Sequence, residues 1–255
     1  MKRWHIGLIA VVFGARLASA ADYLQPFDAL PKDWSAVDEP GAIMGDATPG
    51  AWKVEKSGLL DGPALHQTAN TWGDKGDIYP LGTYFVYDGA EFEDFVLETD
   101  IYPADNDGLG FLFRYRDRKN HYRFLTMIDA ANPENAPPKD KGPWSRFDVR
   151  LGDKGDDVPY YALLGRKIDT YKEKEVQKIR IEVIGNTFTA SIAGKEVVTA
   201  TDANNAYPTG KIGLVCFAQN DMWFDNVKVT DLSARAVSPA GRLTTTWARL
   251  RRTPE

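Results

Sequence analysis

Sulfur and imidazole are scarce in this chain: its 255 residues hold one cysteine and three histidines. A lone Cys216 cannot form an internal disulfide, so stability has to come from a packed core. His66 and His121 are the only histidines after residue 20. With one cysteine they cannot close a four-ligand zinc site unless several acids help. No Gly-x-Ser-x-Gly elbow supports a Ser-His-Asp triad, and no glycine-rich phosphate loop is present. An excess of positive charge is lacking too. Lys and Arg number 31 against 36 Asp and Glu, a formal net charge of −5. That balance argues against nucleic acid as a partner. After residue 20 no stretch approaches the ~20 apolar residues that cross a bilayer, so no transmembrane segment is expected.

The first 20 residues have the three parts of an export signal in order. Lys2, Arg3 and His5 make a basic start, Ile6 to Ala15 is mostly apolar, and Ala18-Ser19-Ala20 supplies a small-x-small cleavage pattern. The expectation is a chain that begins near Ala21 and is secreted or periplasmic. The signal carries three cations and no acid, so its removal leaves a net charge of −8. From Ser233 onward five arginines face a single acid, Glu255, which makes residues 233–255 a basic C-terminal tail of +4. The body between, 21–232, is then −12 and reads as one domain. Such an acidic body suits metal ions or neutral polymers better than anionic ligands.

Aromatic residues make up 12% of the chain, which favours strands. Phe95, Leu97, Thr99 and Ile101 alternate with Val96, Glu98, Asp100 and Tyr102, the period of a half-buried strand. A strand over 111–116, a turn at 117–120 and a strand over 121–127 make a hairpin. Residues 130–142 are rich in Pro, Asn, Asp and Lys and read as a surface loop. Strands follow at 178–184 and 187–192 around Gly185-Asn186, a hairpin-turn pair, then at 196–199, 210–219 and 222–229. No amphipathic helix interrupts them, and the spacing fits a sandwich or barrel.

Three stretches carry a family resemblance. They are Asp105-Asn106-Asp107-Gly108-Leu109-Gly110-Phe111-Leu112-Phe113-Arg114-Tyr115, Lys178 to Asn186, and Gly210-Lys211-Ile212-Gly213-Leu214-Val215-Cys216-Phe217-Ala218-Gln219 with Trp223 to Val227 behind it. Together, over about residues 50–232, the chain resembles the concanavalin A-like lectin/glucanase superfamily, in its laminin-G-like and thrombospondin C-terminal branch. The strand order and Phe224-Asp225-Asn226-Val227 are also similar to the 3-keto-disaccharide hydrolase-like family. The resemblance implies an all-β, two-sheet antiparallel jelly-roll sandwich. The thrombospondin cysteine usually has a disulfide partner, and here none exists, so Cys216 is expected to be a buried free thiol.

The resemblance leaves the activity open, since the superfamily includes lectins, adhesion modules and hydrolases. Its glucanases use a Glu-x-Asp-x-x-Glu strand. Glu98-Thr99-Asp100-Ile101-Tyr102-Pro103 keeps the first two acids and replaces the last with Pro103, so half the catalytic pair is missing. Glu98 and Asp100 then read as a solvated face or as ion-pair partners of Arg114 or Arg116. Where the keto-disaccharide family has Asn-Ser-Gly-x-x-Phe-Arg, this chain has Asp107 to Arg114, which keeps Arg114 as a candidate substrate contact. Tyr115, Tyr122, Trp144, Tyr160 and Tyr161 are candidate sugar-stacking rings, with Trp144 placed in the proline-rich loop and Tyr160-Tyr161 beside Asp156-Asp157; each of them also fits the core. Asp105, Asp107 and Asp225 are candidate calcium ligands, Ca²⁺ being the expected cofactor, with turn formation the alternative for the first two. The leading expectation is a secreted module that binds a glycan or another extracellular polymer. The alternatives are a glycoside hydrolase of the 3-keto-disaccharide type and an adhesive, protein-binding module.

Overall fold

A computed structural model describes residues 22–40, 48–73, 81–129, 142–155 and 159–233. The expected signal, the basic tail from residue 234, the loop 130–141 and Asp156-Asp157 lie outside them. Fifteen strands form two antiparallel sheets, with no α-helix among the described residues. The expected two-sheet jelly roll is the observed fold.

The first sheet runs β13 (Lys195–Thr201), β12 (Thr187–Ile192), β11 (Gln177–Ile184), β6 (Phe95–Pro103), β15 (Met222–Asp231), β4 (Pro63–Gln67), β3 (Trp52–Lys56). Its β1 (Tyr23–Gln25) shares one edge of β15 with β4: β4 pairs with 222–224 and β1 with 227–229. The second sheet runs β10 (Pro159–Lys167), β9 (Trp144–Asp153), β8 (Asn120–Met127), β7 (Gly108–Asp117), β14 (Lys211–Phe217), β5 (Thr83–Tyr87), β2 (Trp34–Asp38).

Period-two patterning decides which side of each strand enters the core. In β6, Phe95, Leu97, Thr99 and Ile101 are buried and the residues between them half-buried, as the alternation predicts. They meet Ile179, Ile181 and Val183 of β11 and Phe224, Val227 and Val229 of β15. From the second sheet they meet Phe85, Phe111, Phe113, Phe124, Phe147 and Leu214. Each such ring or branched side chain contributes about 1.5–3 kcal/mol on full burial. Cys216 is a buried free thiol in the same core, as expected. Turn chemistry fixes the register. Gly185 opens the β11–β12 turn at φ +54°, and Ala193-Gly194 closes β12–β13 with both residues left-handed.

β4, β5, β9 and β10 were not anticipated. Trp144, expected in the proline-rich loop, is instead the first residue of β9, with no exposed surface. The partners expected for Glu98 and Asp100 also change. Their strand lies in the first sheet, whereas Arg114 and Arg116 belong to β7 in the second. Asp100 pairs with Lys178 at 2.7 Å and Glu98 faces Arg180 at 4.0 Å, both across from β11.

Candidate functional site

The second sheet has two faces, and only one belongs to the interlayer core. Register places His121 opposite Arg150, Arg123 opposite Asp148, Leu125 opposite Arg146 and Met127 opposite Trp144 across β8 and β9. Tyr161 of β10 lies opposite Arg150. On the other flank Tyr84 of β5 pairs with Val215 of β14 and Val37 of β2. All these residues share the face turned away from the core, where Tyr84, Val86, Leu112, Tyr115, Leu125, Met127, Trp144 and Val215 make a second apolar cluster.

Within that cluster lies a set of buried charges. Arg123, Arg146, Arg150, Asp148, Glu39 and His121 are each no more than 2% exposed. Asp148 Oδ2 accepts from Arg123 Nη2 at 3.1 Å and from Arg146 Nε at 3.0 Å. Glu39, just past the end of β2, accepts on Oε1 from Arg150 and from the Tyr84 hydroxyl, the latter at 2.8 Å. Arg150 also reaches Asp153 at 2.9 Å. Aromatic faces cover the cations: Arg146 lies over Trp144 and Arg123 over Tyr161, 4.2 and 4.3 Å from the ring centroids.

Buried charges are costly unless paired, and here the pairing is incomplete. Glu39 Oε2 and Asp148 Oδ1 are buried with no hydrogen-bond partner among the described residues. Burial raises the Glu39 carboxyl above its ordinary value, and Arg150 and Tyr84 only partly offset that. Burial, with Arg150 and Arg123 beside it, holds His121 well below the usual imidazole range, so the ring is neutral. Two carboxylate oxygens with free lone pairs, among three guanidiniums and several rings, can bind hydroxyl-rich ligands, take a proton and stabilise an anion.

The residues expected from the sequence fall in different places. Tyr161, Trp144 and Tyr115 lie on this face, 2%, 0% and 8% exposed; Tyr115 stacks on His121, with centroids 5.7 Å apart. Tyr160 points the other way, half-open, with Lys154 over its ring at 4.8 Å. Tyr122 lies in the interlayer core, stacked on Phe113 and donating to Asp202 at 2.6 Å. Arg114 is buried at one end of the sandwich. Its guanidinium donates to the carbonyls of Glu93, Gly185 and Tyr207 and to Asn205 Oδ1, at 2.7–3.2 Å. Those bonds occupy its donors within the fold.

Of the three calcium candidates, Asp105 and Asp107 are neighbours, and Asp225 lies among other acids. Asp107 has Asp105 and Asp129 as its charged neighbours, and burial and their repulsion raise it to about 7. Asp225 is raised to about 6 by burial, with Asp100, Asp28 and Asp61 near it. Among the described residues no three His, Cys, Asp or Glu side chains gather as a metal cage.

Sequence reasoning missed Glu39, Tyr84, His121, Arg123, Arg146, Asp148 and Arg150. The signal for β9 was Trp144-x-Arg146-x-Asp148-x-Arg150, a period-two run of polar residues alternating with Ser145, Phe147 and Val149.

A family model described as the 3-keto-alpha-glucoside-1,2-lyase-like domain matches residues 45–230. Among curated proteins none matches this chain. Several solved structures share its fold. The carbohydrate-binding module CBM66 from Bacillus subtilis aligns with a TM-score of 0.53 at 15% identity, covering 78% of this chain and 96% of that one. A glycoside hydrolase family 16 endo-glucanase from Bacteroides ovatus aligns at 0.53 and 13%, covering 81% and 99%. A galectin-like protein of unknown function from Bacillus subtilis aligns at 0.54 and 14%, covering 84% and 97%. At these identities the likeness is one of fold, and the fold is that of carbohydrate-binding and glycoside-hydrolase proteins.

Proposed function

Since the chain belongs to the 3-keto-alpha-glucoside-1,2-lyase-like family, we propose that it binds a 3-keto-glucoside against the outer face of the second sheet and eliminates its aglycone across C1–C2. The observation that carries this reading is the buried Glu39–Arg150 pair, whose carboxylate keeps one oxygen free.

The chemistry follows from the ketone. A carbonyl at C3 acidifies the proton on C2. Glu39 Oε2 takes that proton, and the C–H electron pair becomes the C2=C3 bond of an enolate with its charge on O3. Collapse of the enolate restores the C3 carbonyl, forms C1=C2 and breaks the bond from C1 to the aglycone oxygen, which leaves with a proton. No oxidant or reductant is consumed. A carboxylate held above its usual pKa by burial is a stronger base than a solvated one. Arg123, Arg146 and Arg150 are fixed by Asp148 and Glu39 before substrate arrives, so they meet the O3 charge without reorganising. The ring faces of Trp144 and Tyr161 hold Arg146 and Arg123 in position. No step uses calcium. The export pattern expected at the N-terminus supports a site of action outside the cytoplasm.

A binding-only role is the second reading, supported by the ion-paired state of all three arginines. The test offers the purified protein a 3-keto-glucoside disaccharide and its unoxidised parent, and follows both by NMR. Release of the aglycone with a 1,2-unsaturated keto-sugar, from the ketone alone, is the expected result. Glu39→Gln should lower that rate about 10²–10⁴-fold, the scale of a lost general base. Binding without release supports the second reading, and neither binding nor release sinks both.

A further inference from the structure

The elimination leaves a proton on Glu39 and requires one at the departing oxygen, and a line of side chains connects the two needs. His121 Nδ1 lies 3.3 Å from the Asp117 carbonyl, an atom that can only accept. In neutral His121 the ring proton therefore belongs on Nδ1, and Nε2 is an acceptor. Nε2 faces the Tyr161 hydroxyl at 3.3 Å. The same hydroxyl is 3.4 Å from that of Tyr84, which donates to Glu39 Oε1 at 2.8 Å.

We propose that Tyr161 is the acid that protonates the departing aglycone oxygen, that His121 positions its hydroxyl, and that Tyr84 links it back to Glu39. This rests on the lyase reading above. The Tyr161 O–H bond breaks as the aglycone O–H bond forms, leaving a phenolate. A half-turn of the Glu39 carboxyl then brings the oxygen that took the C2 proton to the Tyr84 hydroxyl, Tyr84 passes its own proton to the Tyr161 phenolate, and Glu39 reprotonates Tyr84. One proton thus moves from C2 to the aglycone, and the protein ends as it began. Arg123 over the Tyr161 ring at 4.3 Å, and Arg150 at 5.5 Å, stabilise the transient phenolate. Both work against burial, which otherwise raises the Tyr161 phenol. His121 is held for its task by Tyr115 stacked on one side and by the edge-on rings of Tyr84 and Tyr161, at centroid distances of 5.7, 5.9 and 5.8 Å.

The experiment compares two 3-keto-glucosides, one with an alkyl aglycone that needs a proton to leave and one with a 4-nitrophenyl aglycone that does not. Tyr161→Phe keeps the ring under Arg123 and removes only the hydroxyl. It should lower kcat for the alkyl substrate by about 10²–10⁴-fold, restore most of that rate with the nitrophenyl substrate, and leave KM within a few-fold. Thermal melting checks that the variant is folded. His121→Gln, which retains an acceptor, should keep more alkyl activity than His121→Leu. Equal losses on both substrates in Tyr161→Phe would overturn the acid role while the lyase reading stands. A wild-type protein that releases neither aglycone overturns the lyase reading, and the acid role with it.

Discussion

The guanidinium of Arg146 lies over the ring of Trp144, 4.2 Å from its centroid, while its Nε holds Asp148 at 3.0 Å. One side chain thus joins the apolar end of the outer face to its charged middle. Changes to either neighbour should be felt through Arg146.

Trp144→Ala should destabilise the fold by about 3–5 kcal/mol, the usual result of deleting a large buried ring, because Trp144 has no exposed surface and packs in the outer-face cluster. Urea denaturation measures it. A loss below about 1 kcal/mol would mean that the ring is held in a more open site than described.

Asp148→Ala should cost about 3–5 kcal/mol, since it leaves Arg123 and Arg146 buried without their shared carboxylate. Replacing all three by apolar residues of similar volume should recover much of that loss while abolishing keto-glucoside binding. Denaturation and calorimetric titration of these two variants separate stability from function.

Asp107 sets a pH dependence of definite sign. Its folded pKa of about 7 lies above the ordinary carboxyl value of 3.8. Between those values the folded state binds more protons than the unfolded state, so this group's contribution to stability falls as pH rises from about 4 to 7. Asp107→Asn removes the charge, so its melting temperature should change less than that of the wild type between pH 4.5 and 8 and be higher at pH 8. The opposite order at pH 8 would show that ionised Asp107 is stabilised by a favourable partner.

Glu98 and Asp100 belong to the first sheet and are engaged with Arg180 and Lys178 of β11. The protein should release no reducing sugar from β-glucans, and Glu98→Gln should leave keto-glucoside turnover unchanged. Glucan hydrolysis that disappears in Glu98→Gln would move the chemistry to the other sheet.

Much of the sandwich was legible because its core strands follow simple alternation. β6, the β7–β8 and β11–β12 hairpins and the two closing strands were expected within a few residues of where they lie. β9 was not, because Arg146, Asp148 and Arg150 are residues that normally face water. Their burial depends on partners that no local window contains: Arg123 on another strand, and Glu39, 111 positions from Arg150. The aromatic candidates were legible as types only. Tyr161 and Tyr122 look equivalent in sequence, yet register places one on the outer face beside Arg150 and the other in the core.

Arg114, at φ +46° and with its guanidinium tied to segments around residues 93, 185 and 205–207, has a consequence for the order of assembly. Those carbonyls and the Asn205 amide oxygen come from separate connections, up to 93 positions away from Arg114. None of these bonds forms until each segment is already in place. Closing such distant loops costs entropy before any bond is gained. The cluster is therefore expected to close late, after the sheets have paired. A side chain that engages only after the rate-limiting step governs how slowly the native state comes apart more than how quickly it forms. Arg114→Met should then speed unfolding more than it slows folding, the mark of a brake on the opening of the folded protein.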